Sequence, residues 1–241
     1  RSLMACSMRL SALGVSSLRA YGLSAEVLDR LRKVRATGLT FAPEAGTQRM
    51  RDLINKNVTE EQITETAERA LHMGWDKLKF YFMLGLPTET SEDLEGIVLT
   101  TVRAREAGRR GRGKKARPAR ITASVSTFVP KPHTPLQWER MNGLEEVRGK
   151  HVLLKERAWE RKLDLKVHEP HGSILEGILS RGDRRVGEAV ERAWRAGARF
   201  DAWDGSVKWD VWLAAFEESG VKPEEYLAQL EVGATLPWSH I

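Results

Sequence analysis

The chain has 241 residues, of which 41% are hydrophobic and 30% charged, with a formal net charge of +6. That length can bury a real core and allows one large domain or one and a half, and the composition is that of a soluble globular protein. No stretch approaches the ~18 uncharged apolar residues that a membrane span requires. The single cysteine, Cys6, excludes an intramolecular disulfide and cannot supply a zinc or iron–sulfur site alone, so the expected compartment is reducing and cytoplasmic. The opening Arg1-Ser2-Leu3-Met4-Ala5-Cys6-Ser7 has no initiator methionine and no signal-peptide design, and the chain reads as cut at its start.

From Ser11 to about Trp138, short apolar runs alternate with amphipathic stretches. Leu10–Leu18 reads as a strand, and Ser24 caps a helix with Val27, Leu28, Leu31 and Val34 on one face. Gly38–Ala42 reads as a second strand, closed by Pro43. Thr59-Glu60-Glu61-Gln62 is a capping box opening a helix that runs to about Met73, with Gly74 as its stop. Leu78–Leu84 is nearly unbroken in apolar character, as expected of a strand buried on both faces. Thr90-Ser91-Glu92-Asp93 starts the next helix, which ends before the basic loop between Gly108 and Arg120, and Ile121–Val129 is a fourth strand. This order implies parallel strands joined by crossovers. Four strands and three helices cannot close a barrel, so the expected fold is α/β: half of a (βα) barrel, or part of an open sheet, over residues 1–138.

Between Gly108 and Arg120 lie seven cations and no acid: Arg109, Arg110, Arg112, Lys114, Lys115, Arg117 and Arg120. The positive excess belongs to this one segment, which reads as a solvated loop or as a loop contacting phosphate or RNA. After Pro130-Lys131-Pro132-His133-Thr134-Pro135 the character changes, and residues 139–241 form a mainly helical region. A long helix over Leu144–Leu163 and a short strand over Asp164–Glu169 precede helices around Gly187–Trp194 and Asp210–Glu218. Trp194, Trp203, Trp209, Trp212 and Trp238 lie here, either building a small helical core or offering a stacking surface. His168-Glu169-Pro170-His171 lacks a helical face and a third ligand, so no metal site is expected from it.

In a parallel α/β fold, ligands gather where strands end and loops begin. Four segments occupy such positions: Ser16–Arg19, Pro43–Arg49, Gly85–Thr90 and Phe128–Pro132. Glu44, between a proline and Gly46, can reach an ammonium group, or simply form a surface salt bridge with Lys56. Gly85 permits close backbone approach and Pro87 stiffens its turn. Along the last strand Thr122, Ser124 and Ser126 alternate with Ala123, Val125 and Thr127. The hydroxyl series suits either a polar interior lining or a hydrogen-bonded packing layer.

Thr40-Phe41-Ala42-Pro43-Glu44-Ala45-Gly46-Thr47-Gln48-Arg49, followed by Ile54-Asn55-Lys56-Asn57, resembles the fourth-strand segment of radical S-adenosylmethionine enzymes. Tyr81-Phe82-Met83-Leu84-Gly85-Leu86-Pro87-Thr88-Glu89-Thr90 resembles their fifth-strand Gly-x-Pro-x-Glu-Thr motif. Val125–Pro135 is similar to the sixth strand and its exit. The combination is most similar to cobalamin-binding-domain-containing radical SAM proteins of bacteria, as are Ser180-Arg181-Gly182-Asp183-Arg184-Arg185 and Leu236-Pro237-Trp238-Ser239-His240-Ile241.

The resemblance implies the second half of a TIM-like barrel and an enzyme that uses a [4Fe–4S] cluster to cleave S-adenosylmethionine to a 5′-deoxyadenosyl radical. It implies Glu44 as a polar contact to the methionyl or ribose part of the cofactor, with Gly85 and Leu86 near its adenine. Ser16, Arg19 and Ser126 are candidates for the same cavity. The family's CxxxCxxC loop and its Gly-Gly-Glu segment are absent from this sequence, as is a cobalamin domain, so the expectation is a fragment that neither binds the cluster nor catalyses by itself. The competing expectation is an RNA-binding or assembly module using residues 108–120 and the Trp-rich region.

Overall fold

The computed structural model of the chain describes residues 38–111, 119–203 and 205–240. The expected first strand and its helix, Cys6, Ser16 and Arg19, and the centre of the basic segment lie outside them. The described residues divide into two compact units. The first runs to Phe82 and takes in Ser91–Ser124 and Lys155–Lys166; the second comprises Met83–Thr90, Val125–Leu154 and Val167 onward.

In chain order the elements are β1 (Leu39–Glu44), α1 (Gln48–Leu53), α2 (Glu60–His72), β2 (Lys77–Leu84), α3 (Ser91–Gly111) and β3 (Arg120–Thr127). They continue as α4 (Leu144–Glu160), β4 (Asp164–Val167), α5 (Pro170–Ser180), α6 (Arg184–Arg195), α7 (Trp209–Glu218) and α8 (Pro223–Leu227). The strands form one sheet in chain order, β1-β2-β3-β4. β1 and β2 are parallel, with Leu39, Thr40 and Phe41 opposite Leu78, Lys79 and Phe80. The β2/β3 pair is parallel too, since Arg120 donates its amide to Asp76 and, eight residues on, Phe128 donates to Leu84. The fold class is thus α/β with a parallel four-stranded sheet.

Within the first unit, Leu39, Phe41, Leu78, Phe80 and Phe82 are buried, and Phe80 meets both Phe41 and Phe82 edge to face. Thr59 and Gln62 make the expected capping box, which starts α2, and Gly74 takes the left-handed conformation just beyond its end. The buried stripe of α2 is Ile63, Thr66, Ala67, Ala70 and Leu71, and this helix packs on α3. Gly108 allows that approach, because a Cβ there would lie 1.9 Å from Leu71 Cδ1.

Three expectations change. β2 is not buried on both faces: Leu78, Phe80, Phe82 and Leu84 are buried, whereas Lys77 and Tyr81 are exposed and Lys79 and Met83 half-buried. The apolar run conceals a period of two, in which Lys79 and Tyr81 keep polar tips in water and the Lys79 ammonium rests over the Tyr81 ring. α3 does not end before the basic segment but carries Arg109 and Arg110 in its last turn, where the helix dipole favours cations. The short strand over Asp164–Val167 joins the sheet as β4. It is tied to β3 by the Asp164 carboxylate, which accepts from Arg120 Nε and Thr122 Oγ1, both at 2.7 Å.

The second unit holds a core of Met141, Ile174, Leu175, Ile178, Val186, Trp212, Phe216, Tyr226 and neighbours. Of the five tryptophans expected there, Trp212 and Trp238 are buried and Trp209 packs against the core, but Trp194 and Trp203 stand out in solvent. The buried stripe of α6 is Val186, Ala189 and Ala193, and Trp194 falls one position off it. His168-Glu169-Pro170-His171 starts a helix that the sequence reading missed. Glu169 is the N-cap of α5, accepting from the amides of His171 (3.0 Å) and Gly172 (2.8 Å), with Pro170 in the first turn.

Candidate functional site

The end of β1, in the first unit, is built around a strained carboxylate. Glu44 has φ +70°, a left-handed conformation that costs a non-glycine residue of order 1 kcal/mol or more, and it coincides with a shift in register between β1 and β2. Its Oε1 accepts from Lys56 Nζ at 3.0 Å, the pairing expected of a strand–helix turn. Lys56 is presented by two more left-handed residues, Asn55 and Asn57, with φ +54° and +49°. Both partners are partly exposed, so the pair contributes little to stability and leaves the carboxylate within reach of another cation.

The backbone behind Glu44 is fixed from below. Gly46 lies against α3, where an added Cβ would be 2.2 Å from Ile97 N and 2.4 Å from Asp93 O. Thr47 caps α1 and donates to Asp93, and Arg49 forms an ion pair with the same carboxylate. The Arg51 guanidinium is fully buried and donates to the carbonyls of Val58, Ala45 and Gly46 and to Glu60. Thr100 Oγ1 adds a bond to Gly46 O at 3.0 Å. None of these supports was legible beforehand. Arg51 carries no local signal of its burial, and Asp93 reads only as part of a helix start.

The end of β2, in the second unit, is built around Glu89. Its buried carboxylate accepts from the Gly85 amide at 2.8 Å and from Lys150 Nζ at 2.7 Å. Gly85 has φ +82° and Thr88 φ +61°, so the Gly-Leu-Pro-Thr-Glu turn is a tight loop closed by its own glutamate. Leu86 is buried. Above Gly85 there is room for no side chain, since a Cβ would meet Asn142 Oδ1 at 2.8 Å, and that oxygen is itself buried without a hydrogen-bond partner. The bond from Phe128 N to Leu84 O sets the end of β3 beside this turn, and Ser126 sits half-buried near that end. Thr122 and Ser126 are half-buried while Ile121, Ala123, Val125 and Thr127 are buried, so most of the hydroxyl series takes the more open side of the strand.

Among the described residues no group of three or more histidines, cysteines or acids is arranged to hold a metal, and the whole chain has one cysteine. A three-thiolate iron–sulfur ligation therefore does not fit this chain's own residues. Glu44, partly exposed, is a carboxylate of the kind that can take an ammonium group. No helix among the described residues is long and apolar enough to cross a membrane.

A parallel α/β sheet with strained or glycine-lined turns at its strand ends defines a class of proteins that bind ligands at those ends. Residues 11–100 match the family model of the Radical SAM superfamily. The chain is 30% identical over 207 residues to the uncharacterized protein MJ0966 of Methanocaldococcus jannaschii, covering 86% of this chain and 43% of that protein. It thus spans less than half the length of this relative. Two solved structures are more distantly similar. One is Escherichia coli coproporphyrinogen III oxidase (HemN), a radical SAM enzyme, at 18% identity and TM-score 0.42 over 61% of this chain and 33% of that one. The other is a sugar phosphate isomerase/epimerase of Parabacteroides distasonis, at 12% identity and TM-score 0.29 over 93% and 90%. At TM-scores below 0.5 neither bears on the chemistry of this chain.

Proposed function

We propose that this chain is part of a cytoplasmic radical SAM enzyme and supplies strand-end turns that bind S-adenosylmethionine, while the [4Fe–4S] cluster is held by cysteines outside these 241 residues. The observation that carries the reading is Glu44, a carboxylate held left-handed at the end of a parallel strand inside the stretch that matches the superfamily. Strain of that kind is retained where the surroundings over-determine it, and the Arg51 and Asp93 bonds do so here.

S-adenosylmethionine, when bound, supplies the adenosyl group and the sulfonium whose cleavage the superfamily uses. In this proposal the Glu44 carboxylate takes the cofactor's ammonium or ribose hydroxyls, with Lys56 limiting its swing. The turn at Gly85 and Leu86 is the candidate for approaching the adenine. Ser126 contributes a hydroxyl, and Ser16 and Arg19 remain candidates for the same ligand. The finer likeness, to proteins with a cobalamin-binding domain, belongs to the proposal as well; cobalamin would be carried outside this chain.

Equilibrium dialysis with labelled S-adenosylmethionine tests the reading on the longest polypeptide that contains this chain, purified without oxygen. Glu44→Gln should weaken binding about tenfold, the loss of one charge-assisted hydrogen bond. Unchanged affinity in that variant would remove Glu44 from the site. A protein that retains an RNA oligonucleotide but no S-adenosylmethionine would overturn the proposal as a whole.

A further inference from the structure

The segment Ser180-Arg181-Gly182-Asp183-Arg184-Arg185 joins α5 to α6 in the second unit and plays no part in the site above. Arg181 is the C-cap of α5, its amide bonded to Gly177 O at 3.2 Å. The residue is only 3% exposed, and Nε, Nη1 and Nη2 are all buried without a hydrogen-bond partner. A guanidinium stays charged under any physiological condition, and a buried charge without a counter-ion is among the most unfavourable arrangements a fold can hold.

A carboxylate is available two residues away, but the fold directs it elsewhere. Asp183 caps α6 through the Arg185 amide and is gripped by Arg185 Nε and Nη2 at 3.1 and 2.7 Å. Arg185 in turn lies over the Tyr226 ring, 5.9 Å from its centre, which holds the Asp183–Arg185 pair on the Tyr226 side of the turn. The turn itself cannot easily reshape, because a Cβ on Gly182 would sit 2.8 Å from Val186 Cβ. The one acid near Arg181 in sequence is thus locked to a partly exposed arginine, and the buried arginine is left with its whole planar donor fork unpaired. The Tyr226 hydroxyl also acts on Asp183, which commits that carboxylate further to its own side of the turn.

We propose that Arg181 is the seat of an oxyanion site in the second unit, taking a group with two coplanar oxygens such as a carboxylate or a phosphoryl group. The fork geometry of a guanidinium matches such groups in a bidentate fashion, which a lysine at this position would not reproduce. This site is independent of the S-adenosylmethionine reading.

The test is thermal unfolding of the 241-residue chain in rising sodium phosphate or sodium acetate, with chloride holding ionic strength constant. A ligand that binds only the folded state raises the midpoint with its concentration. Wild-type protein should show a saturable rise of several degrees with one of the two anions, which also tells phosphoryl from carboxylate preference. Arg181→Met should abolish the rise, and Arg195→Met, exposed at the end of α6, should retain it. No saturable rise with either anion, or an equal rise in Arg181→Met, overturns the proposal. Should Arg181→Met fail to fold, the Nε–Hε resonance of Arg181 in the wild type decides. Movement with anion supports the site, and a resonance indifferent to both anions overturns it.

Discussion

Replacing Gly46 by alanine probes the packing that fixes the end of β1. The new Cβ would stand 2.2 Å from Ile97 N, 2.4 Å from Asp93 O and 2.6 Å from the Gly96 carbonyl carbon, against an ordinary contact of at least 3.4 Å. All three are backbone atoms, so no side chain can rotate away, and the β1–α1 turn must move from α3 by about 1.2 Å, the shortfall against ordinary van der Waals contact. That displacement stretches the Thr100 Oγ1 to Gly46 O bond, now 3.0 Å, beyond hydrogen-bonding range. Overpacking costs about 1–3 kcal/mol and the lost bond about 1 kcal/mol, so Gly46→Ala should destabilise the chain by about 3 kcal/mol. The same exchange at Gly149, inside α4 with nothing within 4 Å, should instead stabilise it. The expected gain is about 0.5–1 kcal/mol, from helix propensity and a less free unfolded chain. Urea unfolding followed by circular dichroism measures both, provided the slope is unchanged between variants. A Gly46→Ala protein within about 0.5 kcal/mol of wild type would refute the close approach of the turn and the helix.

Glu89→Ala removes the acceptor for both the Gly85 amide and Lys150, leaving a partly buried ammonium uncompensated, and should lower stability by about 3 kcal/mol in urea. Glu89→Gln, which keeps an acceptor for Gly85, should cost less; equal losses in the two variants would show that the charge, not the loop closure, dominates. Burial alone would raise the Glu169 pKa, but the amides of His171 and Gly172, with the His171 side chain, outweigh it and hold the carboxyl below its usual range. Because the folded value is depressed, its contribution is present above the unfolded pKa of about 4.3 and is lost as pH falls through the folded value. Glu169→Ala should therefore cost about 1 kcal/mol at neutral pH, with the gap to wild type narrowing below about pH 4. A gap that stays constant from pH 7 to pH 3 would contradict the capping role.

What the sequence determined is what short-range chemistry encodes. The Thr59–Gln62 box, the stop at Gly74 and the places of β1, β2 and β3 all depend on neighbours close along the chain, so propensity and local pattern suffice to place them. The Glu44–Lys56 pair was also within reach, twelve residues apart across one turn. The order of the strand-end motifs pointed to the superfamily that residues 11–100 match. Tertiary structure decided the rest, because its partners are far apart along the chain and leave no local signature. Glu89 and Lys150 are separated by 61 positions, Thr47 and Asp93 by 46, and Thr122 and Asp164 by 42. The last of these contacts draws Asp164–Val167 into the sheet, although its residues by themselves read only as a short strand among helices. Burial likewise assigns opposite fates to like residues. Arg51 is surrounded by carbonyls and Arg181 by no acceptor at all, a distinction that depends on what folds against each side chain and not on the arginine or its immediate neighbours.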